Sequence, residues 1–76
     1  MNWDSTFAVQ RANALAESLF ALEEPWRSRF LSWVACRAGG RAALDSIPTQ
    51  SQMADWLRDC EVYRDTVALF RAWQPS

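Results

Sequence analysis

Histidine is missing from this 76-residue chain, and cysteine occurs only twice, as Cys36 and Cys60. Histidine is the side chain that titrates nearest neutral pH, and no serine or cysteine here has an evident activating neighbour in the sequence. A structural zinc site needs four closely spaced ligands, which two distant thiols do not supply. The sequence therefore predicts a protein that is not an enzyme and holds no metal or cofactor, with both thiols free.

Long apolar runs and targeting signals are missing as well. No segment approaches the about 18–20 apolar residues that a membrane-spanning helix needs. Residues 1–6 have neither the basic nor the apolar part of a secretory signal. Linkers, repeats, phosphate-binding glycine loops and alternating strand patterns are absent too. We therefore expect a single domain over residues 1–76 that is cytoplasmic, with no membrane partner and no evident small-molecule substrate.

Lysine is the last absence, so all eight cations are arginines, and nine acidic residues leave a net charge of −1. The charges are segregated along the chain, because residues 1–24 are acidic and residues 25–46 are basic. Arginine stems lie well over apolar surface while the guanidinium reaches a carboxylate or an aromatic ring. We expect Arg27 and Arg37 to pair with the acidic first helix or to cover aromatic rings.

A helix with both ends marked is predicted over residues 25–38. Pro25 suits a first helical position, and the glycine pair Gly39-Gly40 suits a left-handed C-terminal cap. At 100° per residue, one wide apolar stripe runs along it. The stripe contains Trp26, Phe30, Val34 and Ala38, flanked by Leu31 and Trp33. We expect this stripe to face the core, and Ser28, Ser32 and Cys36 to face solvent.

The preceding segment predicts a first helix over residues 5–23. Asp4 or Ser5 can cap its start, and Glu24, which precedes a proline, is disfavoured in helical conformation and ends it. Apolar residues recur at spacings of three and four. This seam consists of Ala8, Ala12, Leu15, Leu19 and Leu22, widened by Val9, Ala16 and Phe20. We expect the seam to pack against the second helix.

A short third helix is predicted over residues 49–58. Thr49 and Gln52 fit a capping box, and the residues before Thr49 can form a hydrophobic staple with Met53. Leu44 and Ile47, in the connection, are expected to reach back into the core. The inward side chains of this helix are predicted to be Met53, Trp56, Leu57 and Cys60.

Asp59 is positioned to cap a separate fourth helix over residues 60–74, which Pro75 ends. Its apolar face comprises Val62, Thr66, Leu69, Phe70 and Trp73, flanked by Tyr63 and Val67, with Arg64, Ala68, Arg71 and Ala72 opposite. The predicted fold is an all-α compact bundle of four helices in which the third is short. Brief connections favour antiparallel neighbours.

The segment Thr49–Leu57 resembles the first helix of a helix-turn-helix DNA-binding protein. In that family a capped helix carries an apolar residue, a small residue and a leucine, as Met53, Ala54 and Leu57 do here. The resemblance implies that the next helix would read DNA. The chain departs from the family where a glycine usually follows the leucine, since Arg58-Asp59 stands there.

Tryptophan is what the chain has in excess, with five among 76 residues. A core this small does not readily enclose five indoles, and tryptophan and arginine are enriched at interface hot spots. We therefore expect a small non-catalytic protein-binding module, such as an adaptor, small subunit or inhibitor, that docks on another protein or a second copy of itself. The predicted docking residues are Trp3, Arg29, Trp33, Trp56 and Trp73. Arg29 beside Trp33 is the expected exposed pair.

Two alternatives stay open at this stage. The first is a helix-turn-helix-like DNA-binding protein, which the charge of residues 59–74 disfavours because two arginines face three acids there. The second is a self-associating structural bundle, for which the regular seam of the first helix would provide the contact.

Overall fold

The computed structural model describes residues 3–40 and 47–73, with side chains described from Thr6 onward in the first helix. Four helices account for most of these residues: α1 (Trp3–Phe20), α2 (Trp26–Gly39), α3 (Gln50–Trp56) and α4 (Cys60–Ala72). Within these ranges there is no strand. The predicted all-α bundle of four helices with a short third helix is therefore confirmed.

Helix α1 begins and ends earlier than its sequence predicts. It starts at Trp3, so Asp4 and Ser5 lie inside the helix and the prediction that either caps it is wrong. The Leu22 N–H bonds to the carbonyl of Leu19, three residues back, at 3.2 Å. Such a tightened final turn ends a helix without help from a proline. Glu24 consequently lies in the connection and does not mark the helix end.

The seam of α1 packs mainly against α3, and not against α2 as its pattern predicts. Its buried residues are Ala12, Leu15, Ala16 and Leu19. The two alanines leave room for another helix, and three buried residues of α3 and its C-terminal cap belong to the same core cluster. These are Met53, Ala54 and Leu57. Small side chains on both helices allow their backbones to lie close together, and α3, although short, is the main neighbour of α1.

Both ends of α2 follow from local chemistry. Pro25 is the residue before the first helical residue, Trp26. The Glu24 carboxylate accepts hydrogen bonds from the Ser28 N–H at 2.9 Å and its hydroxyl at 2.8 Å, which lower the pKa of Glu24. At the other end Gly40 takes φ 75°, and its N–H donates to the Cys36 carbonyl at 3.1 Å. Gly40 therefore caps α2 with a positive φ, as predicted, but its ψ of −168° differs from that of the left-handed helical cap that the sequence predicts.

The core face of α2 is rotated from its predicted position. Its buried residues are Phe30, Leu31, Val34 and Ala35. Trp26 is 38% exposed, and Ala38 is also exposed, so the expectation that both face the core is wrong. Trp26 occupies the first turn at the margin of the buried face, and Ala38 borders a polar hollow between α2, α3 and α4. The predicted solvent face is confirmed at Ser28, Ser32 and Cys36.

The approach to α3 buries a different residue from the one expected. Ile47 is 86% exposed, so its predicted return to the core is wrong, while Leu44 lies outside the described residues. Pro48 is buried instead. It directly precedes the cap Thr49 and so holds the position from which a hydrophobic staple reaches Met53. The Thr49 hydroxyl oxygen accepts from the Gln52 N–H at 3.1 Å, which confirms the forward bond of the predicted capping box.

The predicted break near Asp59 is confirmed. The Asp59 Oδ1 accepts from the N–H groups of Glu61 at 2.9 Å and Val62 at 3.2 Å and so starts α4. Cys60 is exposed, which contradicts its predicted inward position. The reason is the break itself, since Cys60 is the first residue of a new helix and does not continue the face of α3.

The face of α4 is largely as predicted. Val62 and Thr66 are buried, and the Thr66 hydroxyl donates to the Val62 carbonyl at 2.7 Å, which satisfies a polar group in the core. Phe70 and Trp73 are half-buried against the core. Leu69, at 36% exposure, lies at the surface and its predicted burial is wrong. Phe30 and Trp26 of α2 contact Phe70 and Trp73 on this face, whereas Leu69 is left at its margin.

Candidate functional site

An aromatic cluster joins the start of α2 to the end of α4. Phe30 lies beneath it at 5% exposure, with its ring centroid 5.5 Å from Phe70 and 5.3 Å from Trp73. Both contacts are edge-to-face, the geometry that the ring quadrupoles favour. Trp26 closes the cluster on the outside, 5.3 Å from Trp73. The cluster therefore holds an exposed indole on a buried aromatic base.

Arg29 covers the Trp26 ring. The guanidinium carbon lies 5.1 Å from the ring centroid, within the range of a cation–π interaction. The expectation that Arg29 pairs with Trp33 is thus replaced by pairing with Trp26. Side chains on a helix lean toward its N-terminus, so Arg29 reaches back over residue 26 more readily than forward to residue 33.

A shallow hollow continues from Arg29 along the same side of α2. It is lined by Ser28, Arg29, Ser32, Trp33 and Cys36. Trp33 is half-buried, so part of its indole packs on the core and the rest borders the hollow. We call the surface formed by Trp26, Ser28, Arg29, Ser32, Trp33 and Cys36 the α2 outer face. It combines two indoles, one guanidinium, two hydroxyls and a thiol.

The structure separates the other predicted docking residues. Trp73 lies next to the α2 outer face through its contact with Trp26. Trp56 is half-buried and borders the polar hollow between α2, α3 and α4, away from the other indoles whose side chains are described. Trp3 begins α1, and its side chain is outside the described part of the chain. Arg29, Trp33 and Trp73 therefore form one candidate site and Trp56 does not belong to it.

Trp26 is the member of this site that the sequence pattern misplaced. Helical periodicity assigns it to the core stripe, but its exposure is the highest of the four tryptophans with described side chains. Two sequence signals could have found it. Trp26 directly follows a proline at a helix start, where core neighbours are few, and an arginine stands three residues later.

Arg29 is the arginine of this site that forms no ion pair with a described residue, whereas the other two arginines of α2 are paired. Arg27 lies 3.5 Å from Glu24 in the α1–α2 connection, and Arg37 bonds Asp65 of α4, with its Nε 3.1 Å from Oδ2. This pairing raises the pKa of Arg37. The prediction that these arginines pair with the first helix itself is wrong, because their acids lie elsewhere. Arg29 makes no ion pair within residues 6–40 and 47–73.

Comparisons with protein-family models, curated proteins and solved structures return no match. None of the described helices is both long and apolar enough to cross a membrane. In the same ranges, no three His, Cys, Asp or Glu side chains are grouped so that they could hold a metal ion. The chemistry of the surface is therefore the ground on which a function can be proposed.

Proposed function

We propose that this chain is a small, non-catalytic protein-binding module that docks on another protein through the α2 outer face and Trp73. The observation that carries the proposal is the Trp26 indole, which is 38% exposed, packs against Trp73, itself in contact with the buried Phe30, and has Arg29 over its ring. An adaptor, a small subunit and an inhibitor would all use such a surface.

The chemistry of binding would be desolvation of the indoles, with the arginine fixing orientation. Tryptophan and arginine are the residues most enriched among hot spots, where truncation typically costs 2 kcal/mol or more. The underlying aromatic contacts restrict the Trp26 ring before the partner arrives, which reduces the entropy lost on binding. A fixed, partly exposed indole is therefore better suited to an interface than a freely rotating one.

The positive charge of Arg29 indicates which chemical group the partner would present. Arg29 has no carboxylate partner among the described residues, whereas Arg27 and Arg37 have theirs. Bidentate guanidinium–carboxylate pairing combines strength with a defined geometry. The fitting partner therefore presents an apolar pocket for Trp26 with an aspartate or glutamate at its rim.

Neither alternative gains support from the structure. The buried part of the α1 seam, Ala12, Leu15, Ala16 and Leu19, lies in the chain's own core and is not free for contact with a second copy. In α4 and its cap, Arg64 and Arg71 are outnumbered by Asp59, Glu61 and Asp65, so the helix as a whole has no excess of positive charge for binding phosphates.

The test compares affinity capture from a native-host lysate by the tagged full chain and by three variants. Trp26→Ala and Arg29→Glu alter the site, and Arg58→Glu changes an exposed arginine outside it. We expect one protein to be captured by the parent chain and by Arg58→Glu and lost from both site variants. With that protein purified, Trp26→Ala should weaken binding about 30-fold or more, as loss of a hot spot does.

Circular dichroism and urea unfolding check that every variant is folded. The result against the proposal is binding of the purified partner by folded Trp26→Ala and Arg29→Glu with the parent's affinity. Equal loss in Arg58→Glu would also count against it, because a general charge effect would then explain the capture.

A further inference from the structure

A second hollow lies between α1 and α4, away from the α2 outer face. Its lining includes Arg11 of α1 and, from α4, Tyr63, Arg64, Val67, Ala68 and Arg71. Three of the protein's eight arginines line it, and none of the lining residues among those described is an aspartate or glutamate. We call it the α1–α4 arginine hollow. Its charge is positive although the chain as a whole is slightly negative.

Arg11 is held in place by weak partners. Its guanidinium carbon lies 4.6 Å from the Tyr63 ring centroid, and Nη2 donates to the Cys60 Sγ at 3.0 Å. A thiol sulfur is a poor acceptor. The Nε of Arg11 is buried and has no hydrogen-bond partner among the described residues. This cation is therefore fixed in position without a carboxylate to neutralise it.

The α4 side of the hollow has a regular pattern. Arg64, Val67, Ala68 and Arg71 stand at positions i, i+3, i+4 and i+7 and so share one face of the helix. The two arginines are about 10 Å apart along the helix axis, with apolar surface between them. The acidic residues of α4 lie on its other side, because Asp65 bonds Arg37 and Glu61 borders the hollow shared with α2 and α3.

We propose that the α1–α4 arginine hollow binds an acidic amphipathic helix of a partner protein. In that helix two carboxylates seven residues apart would pair with Arg64 and Arg71, and apolar residues between them would cover Val67 and Ala68. Laying an amphipathic helix into a groove is a recurrent mode of peptide recognition. The inference shares with the proposed function that the ligand is a protein, but it concerns a different surface.

A second copy of this chain does not supply such a helix from its described residues. Glu17 and Glu24 are the acids with the required spacing there, but α1 ends at Phe20 between them. Glu24 is also engaged with Ser28. The apolar surface between Arg64 and Arg71 favours a helix with apolar side chains over a phosphate backbone, which would leave that surface uncovered.

The probe is a synthetic helical peptide of about 15 residues, with two glutamates seven positions apart and leucines at the third and fourth positions between them. It is titrated at low salt into the isotope-labelled full chain, and amide shifts are followed by NMR. We expect the shifts to centre on Arg11, Arg64, Val67 and Arg71, and added salt to weaken binding. A matched peptide with glutamine in place of both glutamates should bind about tenfold more weakly.

The double variant Arg64→Gln/Arg71→Gln should weaken binding of the glutamate peptide by about tenfold, because both side chains are exposed and their loss leaves the core intact. Arg29→Gln on the α2 outer face should bind the peptide as the parent does. Unchanged binding in the double variant, equal affinity for the glutamine peptide, or shifts confined to the α2 outer face would overturn the inference. So would tighter binding of a short DNA duplex to the same arginines, or a dimer in sedimentation that the double variant abolishes.

The two proposals fail separately. If the peptide does not bind here while the captured partner still needs Trp26, only the further inference is lost. If the peptide binds the α1–α4 arginine hollow and capture does not depend on Trp26 or Arg29, docking through the α2 outer face is wrong. The α1–α4 arginine hollow is then the binding surface that the experiments support.

Discussion

Replacement of Phe30 by alanine is expected to lower the free energy of unfolding by about 3–5 kcal/mol, the usual cost of truncating a buried aromatic residue. Phe30 is 5% exposed and makes edge-to-face contacts with Phe70 and Trp73. Its removal leaves a cavity under the Trp26–Trp73 pair and deletes both ring contacts. A domain of 76 residues has a total stability of about 4–11 kcal/mol, so this loss is a large fraction of the total.

Phe7→Ala is the matched control, since Phe7 is a phenylalanine in a helix but is 58% exposed. The same deletion there should change stability by about 0.5 kcal/mol or less. Urea unfolding monitored by circular dichroism measures both variants. Equal stability of the two variants would show that Phe30 does not hold the α2–α4 contact together.

Replacement of Leu57 by alanine is the second change with a large expected effect, about 2–5 kcal/mol of lost stability. Leu57 is completely buried at the C-terminal end of α3, in the same core as Met53 and the α1 seam. Because α3 has only seven residues, it is held by packing more than by its own hydrogen bonds. The cavity should therefore loosen the whole of α3 against α1.

Leu69→Ala controls for the loss of a leucine, because Leu69 is 36% exposed on α4. Its cost should be well below that of Leu57→Ala, since part of the removed surface was already in water. Hydrogen exchange adds a local readout. In Leu57→Ala the amides of α3 should lose protection first, and protection of α3 unchanged from the parent would contradict its dependence on Leu57.

The helices themselves were predictable because their ends are marked by local chemistry. Thr49, Asp59 and Gly40 act as caps in the structure as the sequence predicts. The exception is α1, whose end is set by a tightened turn near Leu22 that leaves no signature in the sequence. Local sequence signals therefore predict the ends of three helices well and the ends of the first helix less accurately.

The residues that face the core were less predictable than the helix ends, because helical periodicity does not show how much of a helix its neighbouring helices cover. Ala38 lies near the end of α2 and Leu69 lies at the margin of the apolar face of α4, and neighbouring helices do not bury either residue. Cys60 follows the break between α3 and α4, so it begins a new helix and does not continue the apolar face of α3. The choice of α3 as the main neighbour of α1 depends on small residues meeting in space, and no single helix carries that information.

The candidate site was predicted in part. The excess of tryptophan correctly directed attention to aromatic surface, since none of the described indoles is fully buried. The sequence pattern assigns Trp26, the most exposed of the described indoles, to the core. It also groups Trp56 with described indoles that it does not contact. The arginine hollow was missed altogether, because Arg11 and Arg64 are far apart in sequence and only the packing of α1 and α4 brings them together.

The central claim is that a single chain leaves the indole of Trp26 partly exposed to solvent, at 38%. Fluorine NMR of the full chain labelled with 5-fluorotryptophan tests it, with resonances assigned by single Trp→Phe variants and the monomer mass verified by sedimentation. A soluble nitroxide should broaden the Trp26 resonance more than those of Trp33, Trp56 and Trp73, which are less exposed. A Trp26 resonance as protected as the other three would contradict the claim and remove the basis for docking through the α2 outer face.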